Sequence, residues 1–129
     1  MSVPDSDVVL ATVRRCVSQS LAVPEERLLP ETRLIDDLGA DSLDVVDIVF
    51  LLEEQTGVKA RSTELGFLTR LDFSSPEVVR EGRIHPDLLG RLEPLMPGLS
   101  AEEEVTPRVL FSHLTVEAVC RMVSASWPS

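Results

Sequence analysis

The chain reads as an all-α protein, a bundle of three main helices with shorter ones between them. Three observations carry that expectation. Apolar residues recur at helical spacing in three separate stretches: Val9, Val13, Val17 and Leu21; Val45, Ile48, Val49 and Leu52; and Val116, Val119, Met122 and Val123. Each stretch has a start or stop signal of its own, Pro24 after the first, Gly57 after the second and Thr115 before the third. At 129 residues the chain has the size of one small domain, so residues 1–129 are expected to form one unit around a shared core.

The first helix is expected from about Pro4 to Ala22, capped by Asp5 or Ser6. Leu10 lies beside its apolar stripe, and Arg14, Arg15 and Gln19 fall elsewhere on the wheel. Many of its apolar residues are β-branched, which mildly disfavours an isolated helix, so packing must hold it. Pro24 ends it, and residues 24–40 follow as a long loop. Leu28, Leu29, Leu34, Ile35 and Leu38 supply apolar side chains to pin that loop to the core.

The second helix is expected from Ser42 to Thr56, stopped by Gly57. Asp41 is a natural N-cap, and Asp44 falls in the first turn, where the helix dipole favours a negative charge. Ser42 therefore sits at the open, partly positive end of a helix, where backbone donors would meet a phosphate ester. The helix has two apolar stripes. Val45, Ile48, Val49 and Leu52 should face the core. Leu43, Val46 and Phe50 form another, interleaved with Asp44, Asp47, Glu53 and Glu54. Periodicity alone reads the two as one wide buried face with a solvated acidic edge.

The run Leu34-Ile35-Asp36-Asp37-Leu38-Gly39-Ala40-Asp41-Ser42-Leu43-Asp44, with Leu52-Glu53-Glu54 behind it, resembles the acyl carrier protein family. The likeness covers residues 5–57 and about 112–125, and implies an antiparallel carrier-type bundle. In that family the matching serine bears 4′-phosphopantetheine through a phosphodiester, and the thiol of the arm holds acyl chains as thioesters. The resemblance thus implies attachment at Ser42 of a freestanding, non-catalytic carrier. It implies that Leu43, Val46 and Phe50 lie at the rim, where charges steer and apolar atoms anchor a partner. Asp41, Asp44, Asp47, Glu53 and Glu54 would pair there with basic patches on a phosphopantetheinyl transferase and on synthase, acyltransferase or ligase enzymes. It further implies an acyl chain sheltered between the first, second and last helices. Two alternatives stand beside this reading. A peptidyl carrier for aminoacyl groups is disfavoured by the acidic second helix. A non-carrier interaction protein would use Ser42 only as a helix-start hydroxyl.

Residues 58–110 form a long insertion between the second and last main helices, where typical carriers need only a short crossing. Prolines and glycines cut it into short pieces. Helical turns are expected at Ser62–Leu71, after Ser75-Pro76-Glu77 and at Pro86–Leu92, and Glu102-Glu103-Glu104 reads as a solvated helix start. Its apolar content is too high for a free linker, so it should fold against the bundle. Sheathing a long acyl chain, adding a recognition surface and plain structural elaboration are equally compatible with it. The last helix is expected after Thr115, its N-cap, with Glu117 in the first turn, and Trp127-Pro128-Ser129 reads as a loose tail.

Charge sharpens the picture. Acidic residues number 22 against 12 basic, a formal net charge of −10, which disfavours nucleic acid as a partner. From Glu25 to Glu54 there are ten acids and two bases. Like charges so crowded should destabilise the fold, so added salt or divalent cation is expected to raise the melting temperature. Aromatics make up 4% of the chain, too few for a stacking surface. No apolar run spans a bilayer, and Met1-Ser2-Val3-Pro4-Asp5 lacks the parts of a signal peptide, so a cytoplasmic monomer is expected. Cys16 and Cys120 fall in helices and read as small buried hydrophobes, while His85 and His113 lack ligand-spaced partners for a metal.

Overall fold

The computed structural model describes residues 6–60 and 63–124, without the side chains of Ser6, Ser42, Glu64, Pro97 and Ser100. The expectations for the N-terminal cap at Asp5 and for the Trp127 tail lie outside the described residues. The described chain is predominantly helical: α1 (Ser6–Leu21), α2 (Ser42–Thr56), α3 (Glu64–Thr69), a hairpin of β1 (Val79–Arg80) and β2 (Arg83–Ile84), then α4 (Pro86–Leu92), α5 (Pro107–Ser112) and α6 (Val116–Ser124). Single 3₁₀ turns stand at Glu25–Arg27 and Pro97–Ala101.

The main bundle forms as the apolar spacing requires. α1 packs against both α2 and α6, and α3 packs across α2 and α6. Val9, Val13, Cys16 and Val17 of α1 meet Val45, Ile48, Val49 and Leu52 of α2, all buried. α6 adds Val116, Val119, Met122 and Val123. Its start is held by Thr115, whose Oγ1 accepts from the Ala118 N–H at 3.0 Å. α1 ends at Leu21, one residue short of expectation, because Ala22 turns into positive φ at 55°.

The loop before α2 is ordered by backbone bonds to the far end of the chain. Leu34 N–H donates to the Leu114 carbonyl at 3.0 Å, and Val116 N–H donates to Thr32 at 3.0 Å, across an antiparallel bridge between Arg33 and Thr115. Leu28 and Leu34 are buried as anchors, whereas Leu29, expected to help, is 52% exposed. The chain turns between these two anchors, with Thr32 Oγ1 accepting from the Leu29 N–H, and leaves Leu29 facing outward.

The middle segment departs from expectation in three places. A helix was expected after Ser75-Pro76-Glu77. Instead, one hydrogen-bonded turn, with Val78 and Val79 N–H donating to the Ser75 carbonyl, runs into the β1–β2 hairpin. Glu81 and Gly82 carry φ of 56° and 79° at its tip, and the β-branched Val79 and Ile84 pair across it, a geometry that suits right-twisted strands. Glu102-Glu103-Glu104 starts no helix. Glu102 meets His113 Nε2 at 3.1 Å and Glu104 meets Arg83 at 2.7 Å, so these acids tie the segment to its neighbours. α5 was not expected at all, although Thr106 caps it by accepting from the Val109 N–H and Pro107 takes its first position. The segment folds against the bundle as its apolar content requires: Leu92, Met96, Leu99, Val105 and Leu110 are buried in the same cluster as α1, α2 and α6.

Candidate functional site

Ser42 is the first residue of α2, and the backbone around it is tightly determined. Gly39 holds φ at 72°, with its N–H on the Ile35 carbonyl at 2.9 Å, and Ala40 N–H returns to the Leu34 carbonyl at 3.0 Å. A side chain at Gly39 would cost about 1–2 kcal/mol in that left-handed conformation. Ala40 is buried, so the chain dips into the core and rises at Asp41. Asp41 then closes a reciprocal capping box: its Oδ1 accepts from the Asp44 N–H at 2.9 Å, and Asp44 Oδ2 accepts from the Asp41 N–H at 3.0 Å. The sequence placed Asp41 as the cap and Asp44 in the first turn; the reciprocal bond is the added finding.

Helix geometry leaves the remaining first-turn N–H groups, those of Ser42 and Leu43, without intrahelical acceptors. They lie at the positive end of a 15-residue helix. A phosphodiester on the Ser42 oxygen would find backbone donors there, so the local chemistry fits such a group.

Along α2 the expected rim splits into two tiers. Leu43 is 76% exposed and Phe50 54% exposed, and Asp47 and Glu54 are exposed as well. Positions 43, 47, 50 and 54 follow helical spacing, so these four make one outward stripe. Asp41 is exposed beside its upper end, while Asp44, Val46 and Glu53 are half-buried along its flanks. The opposite face, Val45, Ile48, Val49 and Leu52, is buried. The single wide buried face that periodicity alone suggested is therefore absent from α2. Gly57, in the left-handed conformation, closes the helix.

A cavity of about 550 Å³ opens beside the serine. Ala40, Val45 and Leu68 form its buried floor, and Ile35, Leu71, Phe73 and Phe111 its half-buried walls. Asp36, Asp41 and Arg108, all exposed, stand at the opening. The lining comes from three separate stretches of sequence, two of them beyond α2, and sequence reasoning did not find it. Elsewhere, Cys16 and Cys120 are free thiols, and burial pushes each up to about 11. His85 Nδ1 accepts from the Asp87 N–H at the start of α4.

Comparison with known proteins agrees with this geometry. A family pattern described as "Phosphopantetheine attachment site" matches residues 11–72, which takes in the serine loop, α2 and α3. An acyl carrier protein of Thermotoga maritima is 44% identical over 57 residues, covering 44% of this chain and 70% of the relative. An acyl carrier protein of Campylobacter curvus is 46% identical over 56 residues, covering 43% of this chain and 73% of the relative. The chain belongs to the acyl carrier protein family. No solved structure matches it significantly.

As an acyl carrier protein it bears acyl groups on covalent 4′-phosphopantetheine, whose thiol supplies the thioester. Membership also implies work with transferases and synthases. Among the described residues, no helix is long and apolar enough to cross a membrane.

Proposed function

We propose that Ser42 is the residue that carries the arm, and that the outward stripe of α2 is where partner enzymes dock. The observation that carries this reading is the capping box of Asp41 and Asp44. It fixes the backbone at Ser42 while leaving that residue's own N–H, and Leu43's, at the positive helix end. Leu43 and Phe50 supply exposed apolar anchors, and Asp41, Asp47 and Glu54 the exposed charges that steer a basic partner. Asp44, Val46 and Glu53 border the same stripe.

In this reading the chain catalyses nothing. A phosphopantetheinyl transferase brings its own basic face to α2 and joins the arm to the Ser42 oxygen. Synthase, acyltransferase or ligase enzymes then meet the same face. The protein acts as a cytoplasmic monomer with residues 58–110 as an insertion in one carrier domain.

The test is intact mass after incubation with coenzyme A and a broad-specificity phosphopantetheinyl transferase. Wild type should gain the mass of one phosphopantetheine, and Ser42→Ala should gain none. An equal gain on Ser42→Ala would overturn the assignment.

A further inference from the structure

A phosphodiester on Ser42 adds a negative charge where the chain is already most acidic. From Glu25 to Glu54 ten acids stand against two bases. One of those bases, Arg33, is committed to Asp36 at 3.6 Å. The capping box satisfies oxygens of Asp41 and Asp44 with backbone N–H groups but brings no cation to them. The open end of α2 offsets the added charge only in part, because a helix end is worth about half an elementary charge. A full counter-charge has to come from outside this stretch. Arg108 of α5 stands at the same cavity opening as Asp36 and Asp41, the latter next to Ser42 in the chain. We propose that Arg108 is the counter-ion of the arm: its guanidinium pairs with the phosphodiester on Ser42 and holds the root of the arm on the side of α2 that faces α5. This rests on the reading of Ser42 as the attachment residue.

Three features support it. Arg108 is uncommitted: among the described residues its guanidinium makes no hydrogen bond or ion pair, whereas Arg33, Arg83 and Arg121 pair with Asp36, Glu104 and Glu117. Its backbone is fixed. Thr106 caps α5 by accepting from the Val109 N–H at 3.2 Å, Pro107 takes the first position, and Leu110 is fully buried. Next to Leu110, the Phe111 ring meets Phe73 edge to face, with centroids 5.6 Å apart. The residue type also suits the group. A guanidinium presents a planar fork of donors that matches two phosphate oxygens, and it stays charged throughout the neutral range. The pair ties α5 to the mouth of α2, so the arm bridges two elements although it is bonded to one.

The experiment compares full-length protein with and without the arm, each verified by intact mass, for wild type, Arg108→Gln, Arg108→Lys and Arg83→Gln. Residue 108 is exposed, so its variants should fold. Phosphorus-31 NMR of modified wild type should show a resonance that moves as salt screens the pair. In modified Arg108→Gln the resonance should stand near that high-salt position already at low salt. Hydrogen exchange at the Leu110 and Phe111 amides should slow about threefold when the arm is added to wild type, the size expected of a partly exposed charge pair. Arg108→Gln should lose that slowing, Arg108→Lys should keep part of it, and Arg83→Gln, a charge removed elsewhere, should keep it all. A low-salt phosphorus resonance shared by wild type and Arg108→Gln, or equal slowing in the two, would overturn the inference. So would Lys no better than Gln, or a loss in Arg83→Gln as large as that in Arg108→Gln. Failure of wild type to take the arm on Ser42 would overturn the attachment reading instead.

Discussion

The stretch from Glu25 to Glu54 and the segment from 58 to 110 share a core but are built on different principles. The first carries ten acids and two bases, ends in long regular structure and presents an outward stripe. The second carries nine acids and seven bases, and its described residues form a hairpin, short helices and 3₁₀ turns. Arg83 and Glu104 pair at 2.7 Å in the second, and Arg33 and Asp36 at 3.6 Å in the first, while Asp47 and Glu54 of α2 are exposed. In the proposed function the acidic helix is the face that partner enzymes meet, while the balanced segment closes over the same core.

The comparison breaks first if the two regions do not fold together. Leu52→Ala in α2 and Leu110→Ala in α5 each empty a fully buried site. Each should cost about 2–5 kcal/mol, read as a lowered urea midpoint. One shared transition is expected for both variants. A separate early transition in Leu110→Ala alone would show the segment to be an independent unit.

Docking sharpens the contrast next. Phe50→Ala should lower kcat/KM of the transferase about tenfold, the loss of roughly 1.4 kcal/mol of contact. Arg83→Ala, in the hairpin, should leave it unchanged. Equal losses for the two would remove the distinction between the regions.

A smaller effect separates the roles within the serine loop. Asp41→Ala removes the acceptor for the Asp44 N–H and should cost about 1 kcal/mol. Asp41→Asn keeps an acceptor and should recover most of it in thermal melts. If Asn is as damaging as Ala, charge and not capping is what Asp41 contributes.

The smallest effect concerns the thiols. Burial raises Cys16 and Cys120 from 9.0 to about 11, so the folded state keeps protons that the unfolded state releases. Their contribution is complete below pH 9 and is lost as pH rises towards 11. The urea midpoint should therefore fall over that window, and fall less in Cys16→Ala measured against its own value at pH 8.

The legibility of the two regions differs for a physical reason. α1, α2 and α6 announce themselves through local signals: the apolar spacing, Asp41 and Thr115 before a helix, Gly57 after one. The exposure of Leu43 and Phe50 was not readable from periodicity, which counts apolar residues without knowing what covers them; the family likeness supplied it. The hairpin was missed because its tip needs positive φ at Glu81, a residue with no preference for it, and because Ser75-Pro76 also starts a single turn. α5 was missed because Pro107 was read as punctuation, although Thr106-Pro107 is itself a cap and first-turn pair. The cavity joins residues 35–45, 68–73 and 107–111, and no local rule links stretches so far apart.

The claim on which the rest depends is that the arm is attached at the mouth of α2. Proteolysis of the modified protein, followed by fragmentation of the peptide that has gained mass, tests it directly. The account predicts phosphopantetheine on Ser42 in the Gly39-Ala40-Asp41-Ser42-Leu43 peptide. The adduct on any other residue would contradict it.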